Sequence, residues 1–187
     1  MRLAALALVA VVLAGCSDGS PAVPESVLPR LVLQPADVPA GLEQFDEGRQ
    51  ARGDQPGGAR AAADRFGRLG GWKARYRRTG SVTVAGPLVI ESRADVFESN
   101  GGARDELEAF AADPQGQAKE VDLGDKGVLT TAVQPAFPRP LRIYVVAWRH
   151  DNAVAVVTVQ GFRGVSEQAT LALARTQEQR IEAAAAR

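Results

Sequence analysis

The stretch LRIYVVAWRHDNAVAVVTV, residues 141–159, decides the class of fold. Leu141 to Trp148 and Ala153 to Val159 are dense in Val, Ile, Tyr and Trp, residues that fit a pleated, half-buried surface. His150-Asp151-Asn152 between them is a tight polar turn, so the stretch reads as an antiparallel hairpin. Its near-continuous apolarity makes both strands central in a sheet, covered on both faces, or covered on one face and lining a groove on the other.

Working outward, Gly161 to Val165 leads to Ser166, an N-cap, and a final helix over 166–185. Leu173, Ala174, Gln177 and Ile181 give that helix one mildly apolar stripe, which lays it on the sheet with Arg and Glu outward. Upstream, Lys119 to Leu123 and Val128 to Val133 are strands around the turn Gly124 to Gly127, and Pro135, Pro138 and Pro140 force an irregular connection. Ser99 or Asn100 caps a helix over 100–112, with Ala103, Leu107, Phe110 and Ala111 on one side. Asp113-Pro114 stops it. From Trp72 the period is two: Trp72, Ala74 and Tyr76 point one way, Lys73, Arg75 and Arg77 the other. Val82 to Val84, Leu88 to Ile90 and Ala94 to Phe97 continue this as a long bent hairpin. Ala59 to Leu69 reads as a short helix, Gly48 to Gly58 as a flexible loop, and Gln34 to Gly41 as a single helical turn closed by proline and glycine. The sum is an α+β domain over 31–187, an antiparallel sheet of about five to seven strands with the two helices packed on it.

The N-terminus is different in kind. Met1-Arg2 precedes an apolar run, Leu3 to Val12, too short to cross a bilayer at roughly 20 residues per span, and the layout is that of a secretory signal over 1–15. Leu13-Ala14-Gly15-Cys16 then resembles the lipobox of bacterial lipoprotein precursors at all four positions. The resemblance implies cleavage after Gly15 and lipidation of Cys16, anchoring the protein at the extracytoplasmic face of the cell membrane. Several acyl chains on one cysteine make such an anchor hard to release. Residues 16–30, with Pro21, Pro24 and Pro29, read as an extended tether reaching on the order of 45 Å. Cys16 is the single cysteine, so the domain is held by its core and not by disulfides.

Residues 72–185 allow a second comparison. A Trp-initiated strand, a strand ending Asp95-Val96-Phe97-Glu98-Ser99 that runs into an Ala103-containing helix, Val145-Val146-Ala147-Trp148-Arg149 paired with Ala153 to Val159, and a last Ala-rich helix look like small actinobacterial envelope lipoproteins. The pattern is also similar to the extracellular sensor domains of mycobacterial serine/threonine kinases and, more distantly, to PsbP-like lipoproteins. It implies a cleft-bearing, non-catalytic binding domain in the envelope.

Composition narrows the partners. With 22 basic and 22 acidic residues the chain is neutral, which argues against nucleic acid. No Gly-x-Ser-x-Gly elbow or phosphate loop is present, and no cysteine remains to act as nucleophile once Cys16 is acylated. We therefore expect no catalytic residue, no metal site and no cofactor. The single His150 reads as a solvated turn residue, and Asp122 and Asp125 likewise flank a turn. Arg52-Gly53-Asp54 spells an integrin-type tripeptide in a loop where chance accounts for it. Arg65, Arg68, Lys73, Arg75, Arg77 and Arg78 form a candidate face for anionic ligands, and Trp72, Tyr144 and Trp148 a candidate apolar cleft. Three functions fit: a ligand-binding or sensor-like envelope lipoprotein, an accessory subunit docking a membrane complex, and a lipid carrier with an enclosed cavity. The partners these imply are the membrane through the lipid on Cys16 and an unidentified small molecule, lipid or envelope protein.

Overall fold

Seven strands form one antiparallel sheet in the computed structural model, which describes residues 23–50, 66–81, 84–112, 116–137 and 139–186. β1 (Leu42–Arg49), β2 (Arg68–Arg78) and β3 (Val89–Phe97) make one meander. β4 (Gln117–Val121), β5 (Lys126–Gln134), β6 (Leu141–His150) and β7 (Ala153–Gly161) make another. The two join where β3 pairs with β7, giving the order β1-β2-β3-β7-β6-β5-β4. Helix α1 (Asn100–Ala111) connects the meanders and α2 (Glu167–Ala185) ends the chain, so the fold is α+β. Ser99 and Ser166 cap the helices, each accepting a hydrogen bond from the backbone N–H three residues on, at 3.1 and 3.2 Å.

Strand alternation sorts the core into two layers. Trp72, Ala74 and Tyr76, then Ile90, Ala94 and Val96, then Val146 and Trp148, and finally Ala155, Val157 and Val159 share the face that α2 covers. Phe97, Val154, Val156 and Ala147 share the other, under Ala103 and Leu107 of α1. The β6–β7 hairpin is thus central and covered on both faces, the first of the two arrangements its apolarity allows.

Four boundaries differ from the sequence reading. The chain is packed from Val23 onward, not extended to Arg30: Val23, Leu28, Leu31, Val32 and Leu33 are fully buried around a 3-10 helix at Glu25–Arg30. The apolar residues interleaved with the prolines supply enough buried surface to order the segment, so only about seven residues, at most about 25 Å, separate Cys16 from the folded domain. Gly48 and Arg49 belong to β1, whose polar sequence conceals a strand with strict in-and-out burial. Arg68 and Leu69 are strand, not the end of a helix; residues 51–65, including Arg52-Gly53-Asp54 and the rest of that helix, lie outside the described residues, as do residues 1–22. Val84 sits in the connection between β2 and β3 and not in a strand.

One side chain ties the N-terminal segment to the sheet. Asn152, fully buried in the β6–β7 turn, accepts from Val23 N at 2.9 Å and donates to the carbonyls of Val23 and Phe97 at 3.1 and 3.0 Å. Its neighbour Asp151 takes the left-handed backbone conformation at φ 49° that closes the turn. Along the same segment Leu33 N donates to Ser92 Oγ at 2.9 Å, and Ser92 Oγ donates to Gln177 Oε1 at 2.7 Å. The Gln177 amide in turn reaches the carbonyl of Arg93 at 2.9 Å. Asn152→Ala orphans three buried backbone groups and is expected to cost about 3 kcal/mol in urea denaturation, with new proteolytic cleavage within residues 23–33 under native conditions.

Candidate functional site

The three aromatics expected to form a cleft do not converge. Trp148 is fully buried, its indole N–H donating to Glu178 Oε2 of α2 at 2.5 Å. Trp72 is half-buried, and two strands stand between it and Trp148 in the cross-strand row Trp72, Ala94, Ala155, Trp148. Three strand spacings, about 14 Å, separate the indoles. Tyr144 lies on the same face as Trp148, one row further toward the other end of the sheet than Val146. The alternation places all three side chains on one face; strand order separates Trp72 from the other two, and Val146 stands between Tyr144 and Trp148 along β6.

The basic residues are also divided. Arg65 lies outside the described residues. Arg68 is buried and its guanidinium is paired with the buried Asp95, with Nε at 2.7 Å from Oδ1. Arg93 Nε stands 3.2 Å from the other oxygen of Asp95, and Glu106 of α1 joins the group, its carboxyl raised above the ordinary value by burial. Gly71 leaves the space for this pair, since a Cβ there would fall 2.0 Å from Asp95 Oδ1. Lys73 and Arg75 lie 3.3 and 3.4 Å from Asp46 of β1, and Arg75 also 2.5 Å from Glu91 of β3. Arg77 covers the Phe45 ring at 5.5 Å. Arg78 projects to the opposite face, where its Nε donates to the Pro87 carbonyl at 2.8 Å. The positive run in sequence is therefore largely compensated by acids on the strands either side of it. Arg68→Ala strands the buried Asp95 charge and is expected to destabilise the fold by about 3 to 5 kcal/mol, measured by chemical denaturation; an unchanged midpoint would mark Arg68 as a surface residue instead.

Two open grooves flank α2. One, about 460 Å³, is lined by Asp122, Gly124, Asp125, His150, Glu178 and Glu182 among others. Here His150 is not a solvated turn residue: its side chain is 19% exposed and its Nδ1 lies 2.8 Å from Glu178 Oε1. Asp125 keeps its turn role, accepting from Asp151 N at 2.9 Å and standing 3.2 Å from Arg149. The histidine–carboxylate pair faces no hydroxyl or thiol in the groove lining, and the second oxygen of Glu178 is taken by Trp148. The pair fastens the β6–β7 turn to α2. Among the described residues no group of three or more His, Cys, Asp or Glu is placed to hold a metal ion.

The other groove, about 490 Å³, opens at the far end of the sheet, where β7 ends and α2 begins. Val38, Pro39, Pro87, Val165, Ala169 and Leu173 give it mostly apolar walls. Gly164, at φ 70°, brings this loop against Gly86, where a Cβ would stand 2.7 Å from the backbone nitrogen. Asp37 reaches its rim but is held by Arg180, with contacts of 2.8 and 2.9 Å, and by Gln34 N at 2.7 Å. Four separate segments build the walls, and no run in the sequence signals them.

The His150 contact has a pH signature. The hydrogen bond that the His150 ring donates to the Glu178 carboxylate raises the His150 pKa above 6.5, against the opposing effect of burial. A raised folded-state pKa contributes stability that is complete below the unfolded value and is lost as pH rises through the folded one. The stability difference between the native chain and His150→Gln is expected to be largest below about pH 6.5 and to shrink as pH rises through the raised His150 pKa, read from urea midpoints across the range.

No protein-family model and no curated protein sequence matches the chain. Among solved structures, the extracellular domain of PknH from Mycobacterium tuberculosis is similar, with a TM-score of 0.55, 13% identity, and coverage of 86% of this chain and 98% of that one. At that identity the likeness is one of fold alone.

Proposed function

We propose that this chain is a lipid-anchored, non-catalytic binding domain of a bacterial cell envelope, sensor-like in architecture and held to the extracytoplasmic face of the membrane through Cys16. The apolar groove beside α2 carries the reading: it has the size of a small-molecule site, and its walls present surface that a compact domain otherwise buries. The lipobox at Leu13 to Cys16 supports the anchor, and the fold shared with an extracellular kinase domain supports the class. Because Val23 docks beside Asn152, a short link to Cys16 keeps the β6–β7 turn toward the membrane and leaves the groove at the outer end. Both grooves are open on one side, which suits reversible binding better than enclosed carriage of a lipid.

A second reading, an accessory subunit docking a membrane complex, is favoured by Phe137 and Val133, which are 95% and 62% exposed at the same outer end. The anchor is checked by fractionation: Cys16→Ser is expected to move most of the exported chain from the membrane to the soluble fraction, and unchanged membrane retention overturns lipidation as the anchor. Native mass spectrometry of the purified protein tests binding, with a small molecule retained under gentle conditions as the expected result. A chain that carries none and instead recovers with one protein complex supports the second reading.

A further inference from the structure

We infer that the groove between α2 and the Pro87 loop takes an uncharged, hydrocarbon-rich small molecule, and that Arg180, which stands outside the lining, sets this preference by neutralising Asp37. This deepens the binding function proposed above and rests on it. Ala169, Leu173 and Thr176 line the groove from α2, along about 10 Å of helix, and Val38, Val159 and Val165 add apolar wall from other segments. Among the described residues of the lining, two carry polar side chains, Asp37 and Thr176. The Thr176 hydroxyl donates to the Ala172 carbonyl one turn back along α2, at 3.1 Å, and Pro39 and Pro87 bring no N–H to the walls.

Asp37 is the one charged residue of the lining, and both its oxygens are engaged. Oδ2 accepts from Arg180 Nε at 2.8 Å and from Gln34 N at 2.7 Å, and Oδ1 accepts from Arg180 Nη2 at 2.9 Å. This is the two-pronged guanidinium–carboxylate pair, fixed in geometry as well as in charge. The Asp37 side chain is 13% exposed and that of Arg180 32%, so the pair is shielded on the Asp37 side. An ion entering the groove gives up hydration and meets no opposite charge that is not already paired. An uncharged molecule gives up far less and gains from burying its hydrocarbon. Removing one partner changes the sign of the rim: without Arg180 the carboxylate is left as a net negative charge, and without the Asp37 charge the guanidinium is left as a net positive one.

The test uses the full chain in phosphatidylcholine nanodiscs, titrated separately with decanol, decanoate and decyltrimethylammonium, after subtraction of the partition into empty discs. Decanol is expected to fill a saturable site, one per chain, and to bind roughly tenfold more tightly than either ion. Arg180→Met is expected to tighten decyltrimethylammonium roughly fivefold and Asp37→Asn to tighten decanoate by about as much, with decanol changed less than about twofold in each. The double variant is expected to restore the native order, and either single variant decides the matter should the other misfold. Ala172→Trp, on an exposed position of the groove wall, is expected to abolish the saturable component with an unaltered circular dichroism spectrum, and Ala169→Trp serves the same purpose should the first variant misfold. Decanol behaving as in empty discs, equal binding of all three probes, ion binding unmoved by the charge variants, or decanol binding unchanged in both tryptophan variants overturns the assignment. An ionic molecule retained in native mass spectrometry overturns it while leaving the binding function standing, whereas a chain that retains nothing and binds no probe overturns both.

Discussion

The pairing of β3 with β7 makes one sheet out of two local meanders. Eight residue pairs, from Val89 with Gln160 to Val96 with Ala153, form that seam. On the face under α2 its side chains are small or β-branched: Ala94 faces Ala155, Ser92 faces Val157 and Ile90 faces Val159. This keeps the centre of the sheet shallow enough for a helical layer to lie close on one face. The 3-10 helix of the N-terminal segment covers β2 and β3, α2 covers β6 and β7, and the two touch above the seam. Ser92, at its middle, is the only polar side chain pointing into that layer from β3, and it bonds at once to α2 and to Leu33, just beyond the 3-10 helix.

Periodicity made most of this legible. The hairpin at 141–159, the two capped helices and the strand from Trp72 carry local signals that agree with their packing. β1 escaped because its half-buried positions are Leu42, Gln44, Asp46 and Gly48, a pattern with one apolar side chain that only pairing with the neighbouring β2 makes favourable. The N-terminal segment escaped because proline content signals extension, whereas here Pro24 and Pro29 sit at the start and inside of a 3-10 helix that tolerates them.

The candidate sites show the limit of reading charge and aromaticity in one dimension. A run of basic residues predicts a positive face only if the flanking strands bring no acids, and β1 and β3 bring Asp46, Glu91 and Asp95. Trp72, Tyr144 and Trp148 share a face without forming the expected cleft, and no local feature encodes that Trp72 and Trp148 stand on strands separated by β3 and β7. The apolar groove and the His150–Glu178 pair both depend on where α2 lies across the sheet. That position is set by Gln177 and Ile181 packing on distant strands, so neither could be found before the topology was known.

The Asn152 contact also orders events in time. Val23 waits for a partner 129 residues downstream, and Leu33 waits for Ser92. In a chain made from its N-terminus, the residues nearest the start emerge first and are fixed only after the final hairpin has closed. Until then Leu28, Leu31, Val32 and Leu33 have nothing to cover them. Any state that precedes closure of the β6–β7 hairpin therefore leaves this apolar segment uncovered, which is where self-association would begin.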